Sequence, residues 1–319
     1  NCLSCHAPHQ SKDAGLIPGH AHPGFKEAYC EKCHAAGAPP SARTARVAGV
    51  LVCGRCHTVA KPASPAARVH PPVKAGQCLS CHTPHASERA ALLVAPPEQL
   101  CAGCHAEVAR NAGRDHGHPP AASGKCATCH DPHQSPNPQM LKQKPVALCQ
   151  TCHGDFLKRV RAGEVHPPVA MGLCMSCHDP HGSDQPGMTR RQGAALCTPC
   201  HSPRSEKLAA KHPGMNMATA NCVSCHDPHS GAKGTRGQLR ANQHPPFAKG
   251  ECSSCHTGRG SPTLKARGSA LCFTCHESAP QAFAKKFRHA PVDSPRECLS
   301  CHDPHAAAAK TMLKMASED

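Results

Sequence analysis

The chain has 319 residues, a formal charge of +15, 33 prolines and 25 glycines, but no Trp, one Tyr (Tyr29) and six Phe. Such a composition excludes an ordinary side-chain core, because too little large apolar surface is present to offset chain entropy. No run approaches the roughly 18 apolar residues of a membrane span, and no aromatics interleave with the basic residues as a single-stranded nucleic-acid platform requires.

All 26 cysteines belong to one five-residue word, Cys-x-x-Cys-His, which occurs thirteen times. In chain order the copies are Cys2, Cys5 and His6; Cys30, Cys33 and His34; Cys53, Cys56 and His57; Cys78, Cys81 and His82; Cys101, Cys104 and His105. They continue with Cys126, Cys129 and His130; Cys149, Cys152 and His153; Cys174, Cys177 and His178; Cys197, Cys200 and His201. The last four are Cys222, Cys225 and His226; Cys252, Cys255 and His256; Cys272, Cys275 and His276; and Cys298, Cys301 and His302. This is the attachment word of c-type haem: two thiols add across the porphyrin vinyl groups, and the adjacent imidazole ligates the iron. A zinc site needs about four ligands but no histidine after every pair. A disulfide framework has no use for those histidines either, and a thioredoxin-like motif would occur once, near a βαβ pattern. The expected cofactors are thirteen covalent haem c groups and their iron. The propionates then explain the basic charge, since one negative charge per ferric bis-histidine haem lowers +15 to +2, and two per ferrous haem lower it to −11.

Fifteen histidines lie outside the motifs. Six stand three residues after a motif, in Cys-His-x-Pro-His: His9, His85, His133, His181, His229 and His305. Seven precede Pro or Ala-Pro, eight to ten residues before the next motif: His22, His70, His118, His166, His212, His244 and His289. Together they supply one second ligand per haem, with only His20 and His116 left over. The histidine three residues on cannot easily reach the far face of its own haem, so a neighbouring haem is its expected partner. Methionine, the other common distal ligand, raises the potential. The eight methionines keep no regular offset from the motifs, and Met175 lies inside one, so they read as gap fillers.

Successive motifs are 28, 23, 25, 23, 25, 23, 25, 23, 25, 30, 20 and 26 residues apart, a central period of 48 residues holding two haems. The expected organisation is a three-haem segment (1–66), three 48-residue two-haem repeats (67–211), a second three-haem segment (212–285), and a single-haem segment with a tail (286–319). The expected fold is mostly irregular coil with short α-helices and almost no β-structure, an elongated multihaem cytochrome c stapled by its haems. Each motif should form a helical turn ended by the following x-Pro, and His-Pro-Pro should be extended or polyproline-like. Longer helices are predicted at Glu206–Lys211, Ser278–Arg288 and Ala306–Met315.

The chain begins at Asn1, without Met and already inside a motif, so a removed leader or a missing N-terminal part is expected. Haem c is attached outside the cytoplasmic membrane, which predicts an exported protein, either periplasmic or at the cell surface. Cys2 lacks an upstream His-Pro and Cys298 a downstream partner motif, which suggests end-to-end contacts between chains and a filament.

CxxCH, CxxCHxPH and His-Pro-Pro at these spacings resemble the multihaem c-type cytochromes with doubled CxxCH motifs. The words CHDPH and HPP are similar to those of decahaem cytochromes that thread outer-membrane porins, and extracellular cytochrome filaments share the haem ligation. The resemblance implies low-potential haems and long-range electron transfer in anaerobic or metal-reducing respiration. The partners it implies are other redox proteins or extracellular acceptors, an outer-membrane porin, or further copies of the chain. Nucleic acid is not among the expected partners. The competing function is a nitrite- or hydroxylamine-type oxidoreductase. Such enzymes mark the active haem with an altered motif or a tyrosine crosslink, whereas every motif here ends in His, so no catalytic residue is expected.

Overall fold

A computed structural model describes residues 19–27, 29–34, 52–58, 62–212, 214–234, 236–258, 261, 263–284, 286–294, 296–307 and 309–314. The expected motif at Cys2, Cys5 and His6, with His9, lies outside them. The polypeptide exposes 22044 Å², against about 12,600 Å² for a compact monomer of this mass. Among the described residues the buried apolar side chains are few and mostly small, such as Ala86, Ala112, Ala194, Ala306 and Ala307, with Leu141, Val160 and Met217 the largest.

The chain divides into two units: residues 1–152 with 179–188, and 153–178 with 189–319. In the first, three two-residue antiparallel pairs form: His20–Ala21 with Ala86–Ser87, Arg68–Val69 with Gln134–Ser135, and His116–Gly117 with Gly182–Ser183. In the second, Glu164–Val165 pairs with Ser230–Gly231, and Asn242–Gln243 with Ala306–Ala307. Each pair joins the residues just before a His-Pro to those just after a histidine of the Cys-His-x-Pro-His type. At one strand a neighbouring loop passes so closely that only glycine fits. At Gly182, whose φ is +149°, a Cβ would stand 2.4 Å from the Asn111 carbonyl oxygen.

Helices are short, and the CxxCH motif opens with a 3-10 turn at Cys78–Ser80 or Cys126–Thr128 but lies in or at the end of an α-helix at Cys101, Cys149, Cys197 and Cys272. His-Pro-Pro is extended only at its histidine (His70, φ −56°, ψ 133°), and the prolines then open a helix, Pro71–Lys74. The expectation of a wholly extended segment is corrected: proline at the first helical positions lacks only an N–H that would have no partner anyway. The helix at Glu206–Lys211 forms as expected, with Ser205 accepting from the Leu208 amide. The one expected at Ser278–Arg288 is confined to Ala279–Phe283. No helix spans Ala306–Met315, where Ala306–Ala307 is a strand and Lys310–Met312 a 3-10 turn with Thr311 at φ 56°. Pairing with Asn242–Gln243 outweighs the alanine-rich local preference there. The longest helix among the described residues, Pro145–Arg161, departs from helical geometry only at His153 (φ −105°). Among the described residues no helix is long and apolar enough to cross a membrane.

Candidate haem-binding site

The five strand pairs place the non-motif histidines. In the first unit, the amides of His22, His70 and His118 donate to the carbonyls of His85, His133 and His181 at 2.7, 2.9 and 2.9 Å; in the second, those of His166 and His244 donate to His229 and His305 at 2.9 and 3.0 Å. Each of these five histidines is thus tied, back to back, to a histidine some sixty residues later. The leftover His20 and His116 are strand residues opposite Ser87 and Ser183.

The rings then face motif histidines. Those three residues after a motif pair upstream: His85 with His34, His133 with His82, His181 with His130, His229 with His178 and His305 with His256, with ring centroids 5.9–6.1 Å apart. Those before a proline pair mostly with the second motif downstream: His22 with His57, His70 with His105, His166 with His201 and His244 with His276, again at 5.9–6.1 Å. His212 instead faces His226, at 5.9 Å. The irregularity has a local cause, because the motif after His226 is followed by Thr257-Gly258-Arg259 and offers no histidine three residues on. No ring partner for His289 or His302 is found among the described residues.

This separation decides what fits. Rings that pack on one another have centroids anywhere from about 4.5 to 7 Å apart, whereas these pairs keep to the narrow range of 5.9–6.1 Å. An imidazole nitrogen bonds a metal at about 2.0–2.1 Å and its ring centre lies about 1 Å further back, so two imidazoles on one metal have centroids about 6 Å apart. Among the described residues no group of three or more His, Cys, Asp or Glu could hold an ion unaided. Two opposed imidazoles beside a thiol pair fit a porphyrin iron, whose four equatorial nitrogens come with the cofactor.

Backbone carbonyls orient the rings. Motif Nδ1 atoms of His82, His130 and His302 bond the carbonyls of Ala91, Gln139 and Thr311 at 2.7, 2.8 and 2.8 Å, and His226 bonds that of Gly237. Opposed histidines do the same: His70 to Pro132 at 2.9 Å, His166 to Pro228 at 3.0 Å and His212 to Leu208 at 2.9 Å. With Nδ1 engaged, Nε2 is the nitrogen left to ligate, the usual way a ligand's tautomer is set. The carbonyls facing motif histidines come from turns with two successive left-handed residues, such as Ala91 and Leu92 (φ 56° and 55°) or Thr311 and Met312 (56° and 62°). That geometry costs roughly 1–2 kcal/mol per non-glycine residue, so it persists because the surrounding bonds hold it.

Three further contributors escape the motif reading. Asp131 Oδ1 accepts from the amides of His133 and Gln134 at 2.8 and 3.2 Å, and Asp179, Asp227 and Asp303 accept likewise from His181, His229 and His305. The Asp of CHDPH is an Asx turn that aims the next histidine. Phe25, Phe156 and Phe247 pack on His85, His229 and His305 at 5.1, 5.0 and 5.4 Å. Arg190 and Arg240 donate to the Met175 and Val223 carbonyls inside a motif, at 2.8 and 3.2 Å. The signal for the Asp was its recurrence in CHDPH, at Asp131, Asp179, Asp227 and Asp303.

Burial, followed by the facing histidines, holds His85 below the ordinary histidine range. Burial also leads at His133, His229 and His305, where an adjacent Asp partly opposes it. The lowering favours the neutral imidazole, the form that can bind a metal. Thiols of successive motifs adjoin: burial, and then Cys126, pushes Cys101 up to about 11, and burial, and then Cys222, pushes Cys197 up to about 11. The attachment edges of neighbouring motifs therefore meet.

A model of the doubled CXXCH motif family matches residues 70–110, 118–158, 166–206, 244–281 and 289–319. The chain belongs to that family. It is accordingly a multihaem c-type cytochrome carrying covalent haem c, an exported electron-transfer protein. The matched repeats begin at His70, His118, His166, His244 and His289, so the family pattern includes the histidine before proline as well as the motifs. A search of curated proteins gave no match.

Proposed function

We propose that the chain is a thirteen-haem conduit that passes single electrons along haems with histidine on both faces. The observation that carries this reading is the set of opposed histidine pairs at 5.9–6.1 Å beside thiol pairs. When bound, haem iron supplies one-electron ferric–ferrous chemistry. The opposed histidines would hold the iron from both sides and leave no site for a substrate oxygen or nitrogen, which favours a carrier over a nitrite- or hydroxylamine-type enzyme. The paired thiols anchor each group at its edge, and the back-to-back histidines set one group against the next. Because His70 and His133 share a backbone bond yet face His105 and His82, two haems of one repeat are fixed in mutual distance, which is what sequential transfer needs. The donors and acceptors are other redox proteins, or acceptors outside the cytoplasm.

Ferric EPR and carbon monoxide binding test this. Low-spin signals throughout, with negligible carbon monoxide uptake by the reduced protein, are expected. A high-spin ferric haem in the full-length native protein would count for an open, enzymatic site.

A further inference from the structure

Six loops among the described residues close on their motifs through the same bond. The amides of Val94, Lys142, Arg190, Arg240, Lys265 and Lys314 each donate to the carbonyl of the second cysteine of the preceding motif, at 2.8–3.1 Å. Five of the six residues are cations, although only 36 of the 319 residues are Lys or Arg. The loops differ in length. The bond falls twelve residues after the motif histidine in four of them, fourteen in the Arg240 loop and nine in the Lys265 loop. The charge therefore follows the backbone register and not a fixed offset in sequence.

Three of these side chains reach back into the motif. Arg190 Nε donates to the Met175 carbonyl at 2.8 Å and to that of His178, the motif histidine itself, at 3.1 Å. Arg240 Nε and Nη2 share the Val223 carbonyl at 3.2 and 3.0 Å, and Lys314 Nζ donates to the Leu299 carbonyl. Each holds a positive charge on the peptide that carries the thiols and the imidazole. Val94 is the exception. It occupies the same register, is 40% exposed, and has neither a charge nor a donor in its side chain.

Reduction adds an electron to a haem that already bears its propionates, so a cation beside the haem favours the ferrous form. We propose that the residue whose amide meets the second cysteine is an electrostatic tuning position: its cation raises the potential of the haem on that motif, and Val94 leaves the haem of Cys78 and Cys81 without that support. The proposal rests on the haem assignment above and adds to it the residue that grades one haem against the next.

Spectroelectrochemical titration of the haem-loaded full chain at the ferrous α-band tests it, at salt concentrations of about 10 mM and about 1 M. At low salt Val94→Lys is expected to move one haem's share of the amplitude to higher potential. The reduced-to-oxidised ratio of that haem should rise roughly threefold or more, about 28 mV at 59 mV per decade for one electron. Val94→Gln, which is uncharged, should titrate as the wild type does. Arg190→Gln should move one haem's share the other way, and Arg190→Lys should restore it. At high salt, where the Debye length falls from about 30 Å to about 3 Å, the shifts should shrink. A Val94→Lys curve that matches Val94→Gln, or a shift that salt leaves unchanged, would overturn the proposal. A haemochrome count on the same samples keeps the two readings apart, because missing haem in the wild-type chain would count against the haem assignment and not against the tuning.

Discussion

The His70 amide donates to the His133 carbonyl at 2.9 Å, while the two rings look away from each other, towards His105 at 6.1 Å and His82 at 5.9 Å. One short strand pair thus presents ligands to both motifs of a repeat, and one of those ligands is borrowed from the next repeat. Replacing either histidine should therefore unmask a single, different haem. His133→Ala is expected to leave the haem at Cys78 and Cys81 five-coordinate, and His70→Ala the haem at Cys101 and Cys104. Each variant should bind one carbon monoxide per chain, and added imidazole should reverse it. Uptake of two or none by His133→Ala would contradict the pairing.

The Asx turn can be separated from its charge. Asp131→Asn keeps an oxygen for the His133 and Gln134 amides and should leave the low-spin spectrum intact. Asp131→Ala loses both bonds, at about 1 kcal/mol each, and should lower the urea midpoint and raise the fraction of high-spin haem. Equal behaviour of the two variants would show that the turn does not aim the ring.

Ring orientation sorts the haems into two groups. Most opposed pairs are within 8–26° of parallel, as in His178 with His229 and His34 with His85. His22 with His57 and His212 with His226 are crossed, at 63° and 58°. Near-parallel axial planes give rhombic low-spin ferric EPR and crossed planes a highly anisotropic signal. A minority signal of the second kind is expected, and His212→Ala should remove part of it. A purely rhombic spectrum would contradict the ring angles.

Acid should destabilise the protein. His229 and His305 lie below their ordinary value of 6.5, chiefly through burial. The folded chain therefore binds fewer protons than the unfolded chain just below that pH, and stability falls as pH drops through it. Iron ligation acts in the same direction. The urea midpoint is expected to be lower at pH 5 than at pH 7, and a higher one at pH 5 would contradict the sign.

The cofactor class was legible because CxxCH is a covalent requirement written in five adjacent residues, and the family match agrees with it. The scarcity of regular structure was legible from proline, glycine and the lack of aromatics. Partner choice was not: His82 and His133 are 51 residues apart and meet through a two-residue strand pair with no hydrophobic pattern to announce it. The carbonyl turns were also hidden, since Thr311 and Met312 are poor left-handed residues and read locally as helix. The Asp of CHDPH was read only as part of a helix stop, although its acceptor oxygen aims the histidine that follows.

The most direct measurement is the haem-to-polypeptide ratio, from pyridine haemochrome absorbance against quantitative amino-acid analysis of purified full-length protein. Thirteen haems per chain is the expected value, one for every thiol pair. A ratio near ten, with three of the motifs unloaded, would contradict it.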